Sequence, residues 1–508
     1  MTSRPAAIFT AFVFAVLCCG PSSAADPQGY PGGHREALGA RYETRAQSIA
    51  TDAAHPALTP RAMIRHWNEI AVNASGLDHT PVPAGDPRIF GEQLGPARAS
   101  RAMAIVHIAM FEAVNAIVPR YRSYIGIIPA LPGTSMNAAV AQAAHDTLSA
   151  LFPSQRAAFD QQLAADLGGI PDSAFKRWGI SLGRRAAAAT LARRANDGSA
   201  HAELRVGVEY IPQTAAGFWR QDPISLIPLA LGARWDEVRP FVMRNARQFR
   251  VPPPPALNSA AYAAAYNEVK AVGGDGVTTP TLRTPEQTEI GLYWAYDGTP
   301  SLCAPPRLYN QITMQIADQM QTDAVGLARL LALVNTAMAD AGIASWESKY
   351  YYEFWRPIAG IRESDPGTGP SGTGDGNPAT VGDVGFSPLG APASNLMGPN
   401  FTPPFPAYPS GHATFGGALF QTLRRFYGRD DIAFTFVSDE FNGVTVDNGG
   451  HVRPLLPRSF SSFSQAEEEN GQSRIYLGIH WSFDKTAGIA QGRQVADYVY
   501  THAFQPWF

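Results

Sequence analysis

Cysteine is nearly missing from this chain, with three in 508 residues. Two of them, Cys18 and Cys19, stand within the first 25 residues, which leaves Cys303 alone further on. A disulfide framework is therefore excluded, and the fold must rest on its core. Charge is sparse too. Asp, Glu, Lys and Arg make up 16% of the chain and nearly cancel, at a net −3. That balance excludes the basic face a nucleic-acid partner requires. No haem-attachment motif is present. Beyond residue 25 no stretch reads as the ~20-residue apolar run of a membrane span.

The first 25 residues read as a secretory signal. Arg4 is the positive n-region, Ala6 to Cys19 the apolar core, and Ser23-Ala24-Ala25 a small-residue cleavage site. Bulky Leu17 ahead of Cys18 argues against a lipid-modified cysteine. The expectation is a soluble exported protein, secreted or periplasmic, with Arg4 lost on cleavage. What the chain has in quantity is apolar surface (45%), glycine (47) and proline (42). The first supports a large core, and the other two imply long ordered loops. At ~150 residues per domain the length allows roughly three units at most.

Residues 26–58 read as an irregular arm. From Pro60 the apolar period is helical, with Met63, Trp67, Ile70 and Ala71 on one face. Further helices are expected at 97–118, 136–152, 154–167 and 173–196. His107, on the apolar stripe of 97–118, reads as a hydrogen-bonded core residue. In 173–196 the residues Arg184, Arg185, Arg193 and Arg194 read as a solvated face. Pro212, Pro223, Pro228, Pro240 and the run Pro252 to Pro255 then break the period. This places a boundary between an N-terminal helical half, 26–255, and a C-terminal one, 256–508. Helices resume at 257–272, 284–295, 305–320 and 322–355. The Gly/Pro-rich stretch from Ser364 to Pro409 is too long for an idle connection and is expected to wall a pocket. Helices at 410–427, 461–477 and 484–503 close the chain.

Three clusters carry chemistry. Lys349 and Arg356 lie seven residues apart on a helix that Pro357 ends, and seven steps of 100° return to within about 20° of the start. Both cations are thus expected on one face, calling for an anion between them, amid Trp346, Tyr350, Tyr352, Phe354 and Trp355. In Pro409-Ser410-Gly411-His412 an extended proline segment gives way to a helix capped by Ser410. The free amides there favour an oxyanion, Gly411 lets it approach, and His412 can exchange a proton. Last come Ser473-Arg474 and His480. Ser464 and Glu467 have capping-box spacing to start that helix, and Gly478 ends it. Asp484, expected at the N-cap of the last helix, is placed to fix the His480 tautomer that leaves Nε2 free. Three cations and two histidines suit in-line chemistry at a tetrahedral anion, phosphorus or an analogue.

Lys349-x6-Arg356-Pro357, Pro409-Ser410-Gly411-His412 and Ser473-Arg474-x5-His480 resemble the three signature motifs shared by vanadium-dependent haloperoxidases and type 2 phosphatidic acid phosphatases. Trp-Ala-Tyr-Asp-Gly at 294–298 is similar to vanadium chloroperoxidases. The resemblance implies an all-α fold of two four-helix bundles with long Pro/Gly-rich loops and the site in the C-terminal bundle. It implies that His480 binds vanadium, that Lys349, Arg356, Ser410, Gly411 and Arg474 neutralise the vanadate oxygens, and that Asp297 pairs with Arg474. It further implies that His412 takes a proton from hydrogen peroxide, and that Lys349 polarises the bound peroxide for attack by halide. Hypohalous acid then leaves for an organic acceptor, with vanadium(V) as cofactor and no haem. A histidine stands where Phe405 stands here in algal bromoperoxidases, so Phe405 resembles the chloride-oxidising type. The alternative is a secreted acid phosphatase of the same superfamily, with His480 as nucleophile through a phosphohistidine. A protein that only sequesters the anion would have no need of His412.

Overall fold

In the computed structural model, which describes residues 29–44 and 58–507, the helical period becomes a stack of packed helices joined by long ordered loops. The signal expected at residues 1–25 lies outside the described residues. The arm holds α1 (His34–Leu38) and β1 (Glu43–Thr44). The first half continues with α2 (Pro60–Asp78), α3 (Gly95–Ile117), α4 (Met136–Leu151), α5 (Arg156–Gly168) and α6 (Ala174–Arg194), then the short strands β2 (Leu204–Arg205) and β3 (Leu229–Ala230). The second half holds α7 (Ala260–Val272), α8 (Pro285–Tyr293), α9 (Pro305–Gln319), α10 (Ala324–Tyr352) and α11 (Pro357–Arg362). After these come β4 (Leu396–Met397), α12 (Gly411–Tyr427), β5 (Phe434–Asn442), β6 (Leu455–Phe460), α13 (Phe463–Tyr476) and α14 (Ser482–His502). Side-chain caps start many of the helices, among them Thr59, Ser135, Ser173, Ser259, Asp323, Ser410 and Ser462, each accepting an amide of the first turn.

The axis is α10. It is buried from Val325 to Lys349 and packs against α3, α12 and α14, so one hydrophobic core runs from Met63 to Phe504 through both halves of the chain. Two helices, α3 and α10, prove long and apolar enough to cross a membrane, contrary to expectation. Their most apolar windows are 94% and 100% buried inside the protein. An all-round apolar helix in that setting is a core helix.

Several expected details change. Lys349 and Arg356 do not share a helix. α10 ends at Tyr352, Glu353 turns left-handed at φ 46, and Arg356 sits in extended backbone as the N-cap of α11. The cause is Pro357, which keeps the residue before it out of the helical well. α13 starts at a Ser462 cap and not at a Ser464–Glu467 box, because the Ser464 hydroxyl is held by Asp430. Asp484 is the third residue of α14, not its N-cap, which is Trp481. Arg194 is buried against Asp197, whereas Arg184, Arg185 and Arg193 are exposed as expected. His107 is the satisfied core residue anticipated, bonded to the Met103 carbonyl and to Asn68.

The helical period gives no warning of the β5–β6 hairpin, in which Phe434 faces Phe460 across antiparallel strands. Its signal is an alternation: Phe434, Phe436, Ser438 and Glu440 all point inward. A second pairing, β1 with β4, lays the arm on the proline-rich loop, Glu43 opposite Met397. The arm is therefore an integral part of the wall around the site.

Where α12 crosses α14 the backbones touch. A Cβ on Gly492 would lie 2.1 Å from the Thr414 carbonyl oxygen, and one on Gly488 would lie 2.7 Å from that of Ser410. This close approach fixes the Ser410 end of α12. Gly492→Ala should lower stability by about 1–3 kcal/mol or more through overpacking, measured by chemical denaturation. Gly168→Ala, with nothing near its added methyl, should be neutral or slightly stabilising.

Candidate active site

Two of the three clusters line one apolar cleft, where Gly411, His412, Arg474 and His480 face the same space as Phe405 and Asp297, and Lys349 and Arg356 stand against Phe405, with Arg356 also against His480, without lining the cleft themselves. α10 delivers Lys349, whose ammonium donates to the carbonyls of Pro406 and Ala407, each at 2.9 Å, and of Pro409. All three of its N–H bonds are engaged, so contact with a bound oxyanion requires release of one carbonyl. Arg356 donates from Nε to the Phe405 carbonyl at 2.8 Å and from Nη1 to the Ile479 carbonyl at 2.9 Å. Its Nη1 also lies 2.9 Å from His480 Nε2. Phe405 lies between the cations, with its ring 4.9 Å from the Arg356 guanidinium and 5.1 Å from Lys349 Nζ. That attraction to the ring face stabilises cations removed from water.

His480 leaves α13 beyond Gly478, which takes φ 71. Its Nδ1 donates to Asp484 at 2.8 Å, while the same carboxylate oxygen accepts the Trp481 amide at 3.0 Å. The tautomer is thereby fixed, and Nε2 carries a lone pair directed at the cations. Asp484 thus joins cap and tautomer roles from one position inside the helix. Arg474 is gripped by both oxygens of Asp297, at 2.7 and 2.8 Å. Ser410 caps α12, and the Gly411 amide belongs to the first turn, which has no intrahelical acceptor.

The cage is short of acceptors. Arg356 Nη2 and Arg474 Nε and Nη1 are buried without a hydrogen-bond partner, and each such donor costs about 1–3 kcal/mol. Among the described residues, no three His, Cys, Asp or Glu side chains gather as a cation site. Donors in surplus, with one imidazole lone pair, fit an oxyanion whose central atom accepts a nitrogen ligand. Vanadate is such a group, and the residues present fit it.

A family model of the second helical-bundle domain of VCPO matches residues 329–507. Over 504 residues the chain is 32% identical to vanadium chloroperoxidase of Curvularia inaequalis, covering 84% of this chain and 79% of that one. This protein belongs to the vanadium haloperoxidase family. Among solved structures, the first bacterial vanadium-dependent iodoperoxidase aligns with a TM-score of 0.67 at 22% identity, over 87% of this chain and 97% of that one. A holo-type bacterial vanadium-dependent chloroperoxidase aligns with a TM-score of 0.59 at 18% identity, over 80% and 92%. Both show the shared, mainly helical fold.

Two parts of this haloperoxidase's site carry no side-chain signature in the sequence. His412 Nε2 donates to the Ala295 carbonyl at 2.5 Å, a backbone acceptor. The proton-exchanging atom left to the ring is Nδ1. The loop that presents Ala295 and Asp297 turns at Tyr296, φ 46, and is held by the hairpin: the Tyr296 hydroxyl accepts the Asp439 amide at 2.6 Å, and buried Glu440 lies beside the Tyr296 amide. An acidic residue at an inward position of the β5 alternation was the available clue.

Burial and the surrounding cations set the protonation states. Desolvation first, then Arg474, push His412 well below the usual imidazole range. Desolvation, then Arg356, do the same to His480. Desolvation lowers Lys349 well below an ordinary amine, and burial pushes Asp484 up to about 7. The two histidines bind fewer protons folded than unfolded below the ordinary imidazole pKa. The stability these two neutral histidines contribute to vanadate-free protein is therefore lost as pH falls from ~6.5, opposed by Asp484, which takes up a proton on folding over the same range. By NMR, His412 in that form should remain neutral at pH 6.5, and a midpoint at or above that value would contradict the assigned environment.

Proposed function

We propose that this family member oxidises halide with hydrogen peroxide in a vanadate-dependent reaction, releasing hypohalous acid. The observation that carries the reading is the buried cage: unpaired guanidinium N–H groups of Arg356 and Arg474, a helix N-terminus at Ser410, and the His480 imidazole whose Nε2 lies 2.9 Å from Arg356. Lys349, Arg356, Ser410, the Gly411 amide and Arg474 would hold the oxygens of vanadate, and His480 Nε2 would bind its metal. When bound, vanadate supplies a V(V) Lewis acid that activates peroxide for halide attack. Asp484 holds His480 in the ligating tautomer, and Asp297 holds Arg474 in place. His412, kept neutral, accepts a peroxide proton at Nδ1 and returns it to the departing oxygen. Lys349 adds positive charge where negative charge develops.

We assign chloride competence to Phe405. Its ring covers both cations and packs 4.9 Å from Trp346, keeping water and a second imidazole away from the floor. A small, strongly hydrated anion gains most from a dry cationic site. We also assign residues 26–255 and 256–508 to two helical bundles and the first 25 to an export signal.

Purified protein loaded with vanadate should halogenate an activated diketone only when peroxide and halide are both present. His412→Ala should lower turnover by roughly 10²–10⁴-fold while retaining vanadate. Phe405→His should reduce the ratio of chloride to bromide turnover. Strong p-nitrophenyl phosphate hydrolysis without vanadate, accompanied by no halogenation, would reverse the reading in favour of the phosphatase.

A further inference from the structure

The outer face of α6 has a chemistry that the haloperoxidase site does not use. This helix carries Lys176, Arg177, Arg184, Arg185, Arg193 and Arg194 and no acidic residue. Its inner face is clamped to α4: a Cβ on Gly179 would collide with the Ser135 carbonyl oxygen, and one on Gly183 would lie 2.5 Å from that of Ala139. The side turned to water is therefore fixed. Arg177, Trp178, Ser181, Arg184, Arg185 and Ala188 are all exposed, and at 100° per residue they fall within an arc of about 120°. Asp172, just ahead of the helix, is taken by Lys176 at 2.8 Å, and Arg185 donates to the Ser181 hydroxyl at 3.2 Å. Among the described residues no carboxylate forms an ion pair with Arg177, Arg184 or Arg185. The net −3 of the whole chain conceals this local excess, because the balancing acids lie on other elements.

Apolar side chains stand exposed at the N-terminal end of the same helix. Phe175 is 50% and Trp178 37% exposed, with ring centroids 5.5 Å apart. The loop before α4 lies alongside. Its Ile127 and Ala130 pack with Leu182 and Ala186, and the Phe175 carbonyl accepts the Ser135 amide at 3.1 Å. Ile128 and Leu131 of that loop stay 78% and 57% exposed. Large apolar side chains grouped in water are unfavourable. Beside unpaired cations, such a group fits a partner with an anionic layer over an apolar one. A bilayer with acidic headgroups has both, whereas nucleic acid or a sulfated polysaccharide has the charge without an aliphatic layer.

We propose that the α6 face docks on an anionic phospholipid surface. Arg177, Arg184 and Arg185 donate to headgroup phosphates, which match the guanidinium fork. Phe175, Trp178, Ile128 and Leu131 enter the boundary between headgroups and acyl chains, where an indole satisfies both layers. No residue of the cage takes part, so the proposal stands apart from the halide chemistry.

Flotation with vesicles tests it. Purified protein should float with phosphatidylcholine vesicles containing 30% phosphatidylglycerol at 50 mM NaCl, and at least tenfold less with pure phosphatidylcholine or at 500 mM NaCl. The combined change Arg184→Glu and Arg185→Glu should weaken partitioning at least tenfold. The same charge change made elsewhere, Arg205→Glu with Arg429→Glu, should leave it within twofold of wild type. Trp178→Ser should weaken it severalfold and Trp178→Phe much less, with every variant verified as folded by circular dichroism. Wild-type protein that does not float, floats equally with both vesicle types, or floats as well after the α6 charge reversal overturns the proposal. Retention on heparin without flotation also overturns it and assigns the face to a soluble polyanion.

Discussion

Everything in the site depends on removing three cations from water around a space that contains too few acceptors for them. Lys349, Arg356 and Arg474 are each at most 1% exposed, and among the described residues two carboxylates, Asp297 and Asp484, act on them. Burying charge without full compensation is strongly unfavourable. The fold offsets part of that cost with carbonyls from the 405–409 segment, with Ile479, and with the face of Phe405. What stays unpaired are buried guanidinium N–H groups of Arg356 and Arg474. A tetrahedral oxyanion supplies the missing acceptors, so the cage is organised for a group it does not itself contain.

The helices are arranged to maintain that imbalance. Close glycine contacts between α12 and α14 fix the helix N-terminus at Ser410, and the third residue of α14 reaches back to orient His480. The β5–β6 hairpin fixes the loop that presents Ala295 to His412 and Asp297 to Arg474. One imidazole donates its Nδ1 proton to Asp484 and the other its Nε2 proton to the Ala295 carbonyl. The same residue type thereby takes two roles, according to which nitrogen the surroundings occupy.

Much of this was legible in the sequence because side-chain chemistry sits in short motifs. Ser410, Gly411, His412 and His480 lie where their cap and terminator indicate, and the Ser364–Pro409 loop does wall the pocket, whereas α13 starts at Ser462 and Asp484 reaches His480 from inside α14 and not from its N-cap. The error over Arg356 is instructive. Helical arithmetic brought it near Lys349, but by the wrong route, since the residue before a proline leaves the helix and arrives through extended backbone. Ala295 acts through its carbonyl and has no signature in residue type. Leu38 and Tyr42 reach the cleft by a strand pairing across more than 350 positions in sequence, which no local period encodes.

The most direct test of the caged oxyanion is elemental analysis of vanadium after loading and exhaustive dialysis, on the wild-type protein and on His480→Ala and Arg474→Ala variants whose folding is verified by circular dichroism. The account predicts about one tightly held vanadium per wild-type chain, displaced competitively by phosphate, and little retained by either folded variant. Wild-type protein that retains none, or variants that retain as much as wild type, would contradict it.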